Sequence, residues 1–316
     1  MTTTLSAEQS EPTQDALPVV DVVIATHNRP QLLRAALDAM LAQTYRGRIA
    51  ITVVFDRSAP DNSLELQTAD RSVRVITNQR SAGLAGARNS GIEVGSGDLV
   101  AFCDDDDEWL PTKIEKQVEL LQSSSALTCV TGIIVEYEDR RVHRIPTSES
   151  VQLGALVRNR TMEAHPSTVL VRRRALLGPI GLVDEEIPGS YGEDFDWILR
   201  AAGSGSIDVV EESLVRVRWG QSLFSQKWQM IIDALDYLIA KHPAFSADRR
   251  ALGRVLGQRS FALAALGQRS EALTSVRRTL RSWPGERRAY LAVAVALRLV
   301  SSDRLMRIAH RRGHGI

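Results

Sequence analysis

The stretch LVAFCDDDDEWLP, Leu99 to Pro111, places four consecutive carboxylates directly behind a run of apolar residues. Like charges on adjacent residues repel, so the run is either a solvated turn or a place where something positive sits among the carboxylates. Its context favours the second reading. A turn that only has to be wet does not need to lie between a buried strand and the Trp and Pro that lead into the segment TKIEKQ. Carboxylates held at a strand end present oxygens to Mg²⁺ or Mn²⁺, which takes one or two of them when a diphosphate supplies other ligands. Such an ion removes the repulsion and stabilises charge on a departing phosphate oxygen.

Outward from this stretch the chain alternates β-branched runs with amphipathic segments. VVDVVIAT (Val19–Thr26) reads as a buried strand, and RPQLLRAALDAMLAQT as a helix with Pro30 in its first turn. IAITVVF (Ile49–Phe55) and VRVITN (Val73–Asn78) are the next strands, AGARNSGIEVG is a helix that stops at glycine, and DLVAFC (Asp98–Cys103) is the fourth strand. This order predicts a parallel sheet with right-handed crossovers, in which ligands bind beyond the carboxyl ends of the strands. Thr26-His27-Asn28, Asp56-Arg57-Ser58, Asn78-Gln79-Arg80 and Asp104 to Asp107 each begin where an apolar strand ends. Four polar clusters are therefore expected on one edge.

From Ala126 to about Arg218 the strands ALTCVTGIIVEYE, STVLVRR and LVRVRW surround the helix EDFDWILRAAG, and from Ser222 onward the pattern is helical. Ala262 to Pro284 reads as a tetratricopeptide-like helical hairpin, which cannot bury its own faces and is expected to pack on its neighbours. The resulting division is a disordered leader (1–17), an α/β domain (18–220, with halves 18–125 and 126–220) and a helical C-terminal region (221–316).

The net charge of +1 hides an asymmetry: residues 221–316 carry 17 basic and 6 acidic side chains, so the rest of the chain is acidic. An Arg-rich helical tail is a solvated exterior or a surface for an anionic membrane or a protein partner. Nucleic acid is not an expected partner, because basic residues are not interleaved with aromatic ones. No apolar run approaches the roughly 20 residues that span a bilayer. The leader lacks the basic start and apolar core of a signal peptide, and Cys103 and Cys129 read as buried thiols without metal-ligand spacing. A cytoplasmic protein, peripheral at most to the inner face of a membrane, is expected; homo-oligomers are compatible with this.

The segments VVIATHNRPQLLRAALDAMLAQTY, VVFDRSAPDNS, NQRSAGLAGARNSGI, GDLVAFCDDDDEWLPTKIEKQ and GLVDEEIPGSYGEDFDWILRAA, in this order over about residues 19–220, resemble the family 2 glycosyltransferases. The resemblance implies a GT-A fold, a Rossmann-like mixed sheet flanked by helices. It also implies a nucleotide-diphosphate-sugar donor, Mn²⁺ or Mg²⁺ at an Asp-x-Asp site, and inverting transfer to an acceptor hydroxyl. Matched residue by residue, Asp56 takes the place of the aspartate that binds the nucleobase, although the family's preceding Asp is Phe55 here. Thr26, His27 and Asn28 form the loop beside the base, and Arg88 matches a basic residue facing the nucleotide. Asp104 and Asp106 fit the Asp-x-Asp motif, with Asp106 implied as a direct metal ligand and Asp104 or Asp105 toward ribose and sugar.

Inverting transfer needs a base that takes the acceptor's proton. Glu193, Asp194 and Asp196 in YGEDFDW are acidic residues at a helix start, as often caps as catalysts. The resemblance favours catalysis, with Asp194 as base and Glu193 as its acceptor-site neighbour. Trp197 stacks on sugar or fills core. His165 is a capping histidine or borders the acceptor cleft. Arg216 and Arg218 with Ser222 either close over the diphosphate or lie exposed on an edge strand. The donor expected from family frequency is a UDP-sugar, and the acceptor a glycan, lipid-linked sugar, natural product or peptide. Two alternatives compete: an inactive GT-A binding or scaffold protein, and a nucleotidyltransferase. The first has no need for a base opposite a metal, and the second calls for a Gly-rich phosphate loop where the chain has THNRPQ.

Overall fold

A computed structural model describes residues 17–137, 140–218 and 227–311. The first half follows the periodicity: β1 (Val20–Thr26), α1 (Pro30–Leu41), β2 (Ile49–Phe55), β3 (Leu66–Gln67), β4 (Arg71–Thr77), α2 (Leu84–Val94) and β5 (Leu99–Asp104). β4, β2, β1 and β5 lie side by side and parallel, with β3 antiparallel on the outer edge. Both faces of β1, β2 and β5 are covered, which is why they read as continuous apolar runs, while β4 is only partly covered and leaves Arg74 exposed. Val20, Val22 and Ile24 of β1 face α1, while Val23 joins the core on the opposite side. α2 reaches the sheet closely because residue 91 is glycine; a Cβ there would lie 2.4 Å from Val23 Cγ1.

The second half is β6 (Glu108–Trp109), α3 (Lys113–Gln122), β7 (Thr128–Tyr137), β8 (Arg140–Arg144), α4 (Leu153–Arg158), β9 (Leu170–Arg172), α5 (Arg173–Leu176), α6 (Glu193–Ser204) and β10 (Ile207–Arg218). The sheet runs β3-β4-β2-β1-β5-β9-β7-β10-β6, with β8 on β7. β9 is antiparallel to both β5 and β7, so the sheet is mixed. Two elements differ from the sequence reading. STVLVRR yields only three strand residues, because Pro166 opens a short 3₁₀ turn capped by His165 and Arg173 starts α5. β6 has two residues, too few for a periodic signal, and pairs with β10 at Trp109–Val215 and Glu108–Arg216.

Lys113 on α3 is fully buried, donates to Gln117 Oε1 at 2.7 Å and lies 4.0 Å from the Trp109 ring centre. Burial lowers its pKa from 10.5 to about 7. The unfolded chain therefore binds the extra proton over that window, and stability falls as pH drops from 10.5 toward 7. Lys113→Met is expected to remove this slope, roughly 1.4 kcal/mol per pH unit, from urea midpoints measured between about pH 7 and 8.5, below the range of free thiols. Identical slopes in the two proteins would mean that Lys113 is charged in the fold.

The helical region comprises α7 (Trp228–Lys241), α8 (Pro243–Ala247), α9 (Arg249–Ala265), α10 (Arg269–Ser282), α11 (Arg287–Ala296) and α12 (Ser302–Arg311). α9 and α10 pack together across a turn at Gly267, whose φ of +85° suits glycine, and α9 also packs on α7, α11 and α4. Val255, Phe261 and Ala262 of α9 share one hydrophobic cluster with Phe102, Phe195 and Trp197. The junction is also ionic: buried Asp196 of α6 meets Lys241 and His242, each at 2.7 Å, and Arg200 Nε at 2.9 Å. Burial opposes its ionisation, but these partners bring its pKa down to about 2. Among the described residues no helix is long and apolar enough to cross a membrane.

Candidate active site

The four polar clusters meet at the carboxyl ends of β4, β2, β1 and β5. Asp56, just past β2, is buried and accepts from Asn78 Nδ2 at 2.9 Å, Gly83 N at 3.2 Å and Arg57 Nε at 3.0 Å. Burial opposes its charge, yet these hydrogen bonds hold its pKa below the usual carboxylate value. His27 Nδ1 lies 2.7 Å from Asp56 O, and Asn28 Nδ2 lies 3.2 Å from His27 Nε2. Asn28 and Arg57 both have positive φ, 55° and 47°, so the chain turns sharply at the ends of two neighbouring strands. Beside them a cleft is lined by Thr26, Asn28, Arg29, Phe55, Ser58 and Asp61, with Leu33 and Leu64 as apolar floor.

The acidic run divides by direction. Asp105 is buried, accepts from Thr26 Oγ1 at 2.8 Å and pairs with Arg29 at 3.1 Å. Burial raises its pKa against the pull of Thr26 and Arg29. The same Arg29 nitrogen reaches Asp106 at 2.8 Å. The Asp107 amide donates to Asp104 O at 3.2 Å, which folds the run back and buries the Asp107 carboxylate against Ser167 and His165. One ligand atom each from Asp104, Asp107 and His165 lie within 4.8 Å of one another. The gathered trio thus contains Asp104 but not the expected Asp106, whose carboxylate faces Arg29. Asp107 is 2% exposed, whereas Asp104 and Asp106 are 24% and 35% exposed. A cation that also touches a diphosphate needs open coordination positions, which the two exposed carboxylates leave free. These hard oxygen donors fit Mg²⁺ or Mn²⁺, and the guanidinium between Asp105 and Asp106 marks a local demand for positive charge.

Arg88, 4% exposed, joins the strand edge to α6: Nη2 donates to Asp104 Oδ1 at 2.6 Å and Nη1 to Glu193 Oε1 at 2.7 Å. Burial pushes Glu193 up to about 7, with Arg88 opposing and Asp194 adding to the rise. Asp194 pairs with Arg160. Burial opposes its charge, but Arg160, His165 and Arg88 together hold its pKa below the usual value. A cavity lined by Arg88, Phe102, Pro166, Val183, Glu193, Asp194 and Trp197 opens between these groups.

The remaining candidates separate. Trp197 is 4% exposed, meets Phe102 edge to face at 5.9 Å and donates to Gly181 O at 3.3 Å, so it is a core residue bordering that cavity. His165 accepts from Ser167 N at 3.4 Å and lies between Asp104 and Asp107. Arg216 and Arg218 bond Glu108 across β10 and β6, at 3.3 and 2.7 Å. Ser222 lies outside the described residues. Arg29, Ser167 and Arg160 are not singled out by the sequence, and Asp107 only as one of the four carboxylates among which the run leaves the metal register open. Arg29 adjoins the quoted loop, but Arg160 sits in RNRTMEAH, where no spacing marks it.

Residues 21–177 match the family model of glycosyl transferase family 2. The Escherichia coli UDP-Glc:alpha-D-GlcNAc-diphosphoundecaprenol beta-1,3-glucosyltransferase WfgD is 22% identical over 233 residues, 71% of this chain and 89% of the relative. Among solved structures, S. aureus TarS 1-349 in complex with UDP-GlcNAc superposes with a TM-score of 0.61 at 15% identity, covering 93% of this chain and 92% of that one. The Pyrobaculum calidifontis mannosyltransferase PcManGT, in complex with GDP-Man and Mn²⁺, gives 0.55 at 16% identity over 95% and 86%. The mixed sheet with its helical C-terminal region and these matches define a glycosyltransferase. The chain belongs to family 2 of these enzymes and has the GT-A fold.

Proposed function

We propose that this chain is a metal-dependent inverting glycosyltransferase that moves a sugar from a UDP-sugar to a hydroxyl of a lipid-linked glycan. The observation that carries the reading is Arg88, whose guanidinium ties the donor-side carboxylate Asp104 to the pair Glu193-Asp194 at the start of α6. Donor edge and base are thereby joined through one buried guanidinium. Asp56 and the Thr26-His27-Asn28 loop bind base and ribose; Asp104 and Asp106 hold Mn²⁺ or Mg²⁺, which supplies charge stabilisation for the departing diphosphate. Asp107, Ser167 and His165 brace the turn that presents those carboxylates. Asp194 takes the acceptor hydroxyl's proton as the oxygen attacks the anomeric carbon. The lipid-linked acceptor is supported by the relative WfgD, and the Arg-rich helices suit the anionic inner face of a membrane.

Thermal shifts with UDP, GDP and their sugar conjugates, with and without Mn²⁺, test donor and metal together. Asp106→Ala is expected to weaken Mn²⁺-dependent nucleotide binding by about tenfold or more. Binding unchanged in Asp106→Ala but lost in Asp107→Asn would move the metal to the trio of Asp104, Asp107 and His165.

A further inference from the structure

Arg160 in the loop after α4, Arg254 on α9 and Arg288 on α11 are far apart in sequence, yet they gather at Tyr191 and Phe195, the chain neighbours of Asp194. Arg160 donates to Asp194 and lies 5.6 Å from the Phe195 ring centre. Arg254 lies 5.3 Å from the same ring, and Arg288 Nη1 donates to Glu286 Oε1 at 3.1 Å. All three guanidiniums act on the Tyr191 phenol. Three cations thus face three carboxylates, Glu193, Asp194 and Glu286, of which Glu193 is already bonded to Arg88. Nε and Nη2 of Arg254 and Nε of Arg288 are buried without an acceptor. Unpaired buried N–H groups on a cation are costly, and a junction that only had to pack helices is better served by apolar side chains. Burial and the neighbouring Arg288 and Arg160 lower the Arg254 pKa to about 10, a sign of crowded positive charge.

We propose that Arg160, Arg254 and Arg288 form a pocket beside Asp194 for a phosphate group carried by the acceptor. Guanidinium forks match phosphate oxygens in pairs, and the buried donors supply the geometry. The pocket touches the base side of the site rather than the Asp104–Asp107 edge, so its phosphate belongs to the acceptor and not to the donor nucleotide. Phosphate oxygens there also compete for Arg160 and free the Asp194 carboxylate for the acceptor hydroxyl. The inference rests on the reading of Asp194 as the acceptor-side base. The phosphate is the diphosphate of a lipid carrier or the diester of a phosphate polymer, the same chemistry from two sources.

The test is calorimetric titration of the full chain, with and without UDP and Mg²⁺, using phenyl phosphate, dimethyl phosphate, and dodecyl phosphate in neutral detergent micelles. Wild type is expected to bind a phosphate probe, and Arg254→Gln and Arg288→Gln, on different helices, each to weaken it by about tenfold. Thermal unfolding of both variants confirms that they fold, and Arg254→Lys recovers part of the affinity. Tightest binding of dodecyl phosphate assigns the lipid source, and tightest binding of dimethyl phosphate the polymer. Absence of phosphate binding by wild type, or equal binding by wild type and both folded variants, overturns the pocket. UDP binding in the same samples separates the claims: its presence without phosphate binding removes only the pocket, and its absence removes the donor assignment.

Discussion

Asp194→Asn is expected to slow sugar transfer by about 10²–10⁴-fold, the usual contribution of a general base, while Mn²⁺-dependent nucleotide binding is retained. The amide keeps the shape of the side chain and can still lie beside Arg160, but it cannot take a proton. The geometry distinguishes Asp194 from its neighbour. Both line the cavity, but Glu193 is 5% exposed and committed to buried Arg88, whereas Asp194 is 21% exposed and pairs with the more exposed Arg160. Its ion pair keeps it ionised at neutral pH, as a base must be before it acts. Single-turnover transfer, measured beside UDP titration, separates chemistry from binding. Normal turnover in Asp194→Asn would transfer the role to Glu193.

A larger effect on the fold is expected at Arg88. Its guanidinium is enclosed and bonds Asp104 and Glu193 with separate nitrogens, so Arg88→Met strands two carboxylates with no shared counterion. Removing one member of a buried charge network costs about 3–5 kcal/mol, more than a surface pair contributes. Arg88→Lys is not expected to rescue it, because a single ammonium lacks the fork that bridges two acceptors. Urea unfolding checks the stability loss, and activity falls with it. An unchanged unfolding midpoint in Arg88→Met would show that the two carboxylates do not depend on Arg88 for their charge balance.

The acidic run shows how far local pattern reaches. Its place at the end of a buried strand was legible, because an apolar run followed by polar residues marks a strand end whatever the fold. Which carboxylate faces which way was not. A turn closed by the Asp107 amide on Asp104 O sets those directions, together with Ser167 and His165 from a segment 60 residues away. Trp197 shows the same limit of local pattern: helical periodicity allows both sugar and core, and its edge-to-face contact with Phe102 on β5 is made by the fold.

The sequence by itself determined the strands β1, β2, β4 and β5, the polar edge at their ends and the acidic start of α6, since each depends on neighbours within a few residues. Tertiary structure alone decided that β9 runs antiparallel between β5 and β7, that Arg88 bridges Asp104 and Glu193, and that Arg254 meets the Phe195 ring beside Arg160 and Arg288. Except for Arg88 and Asp104, 16 positions apart, these meetings join residues tens of positions apart. No local period encodes such distances; they follow from burying both faces of the sheet at once.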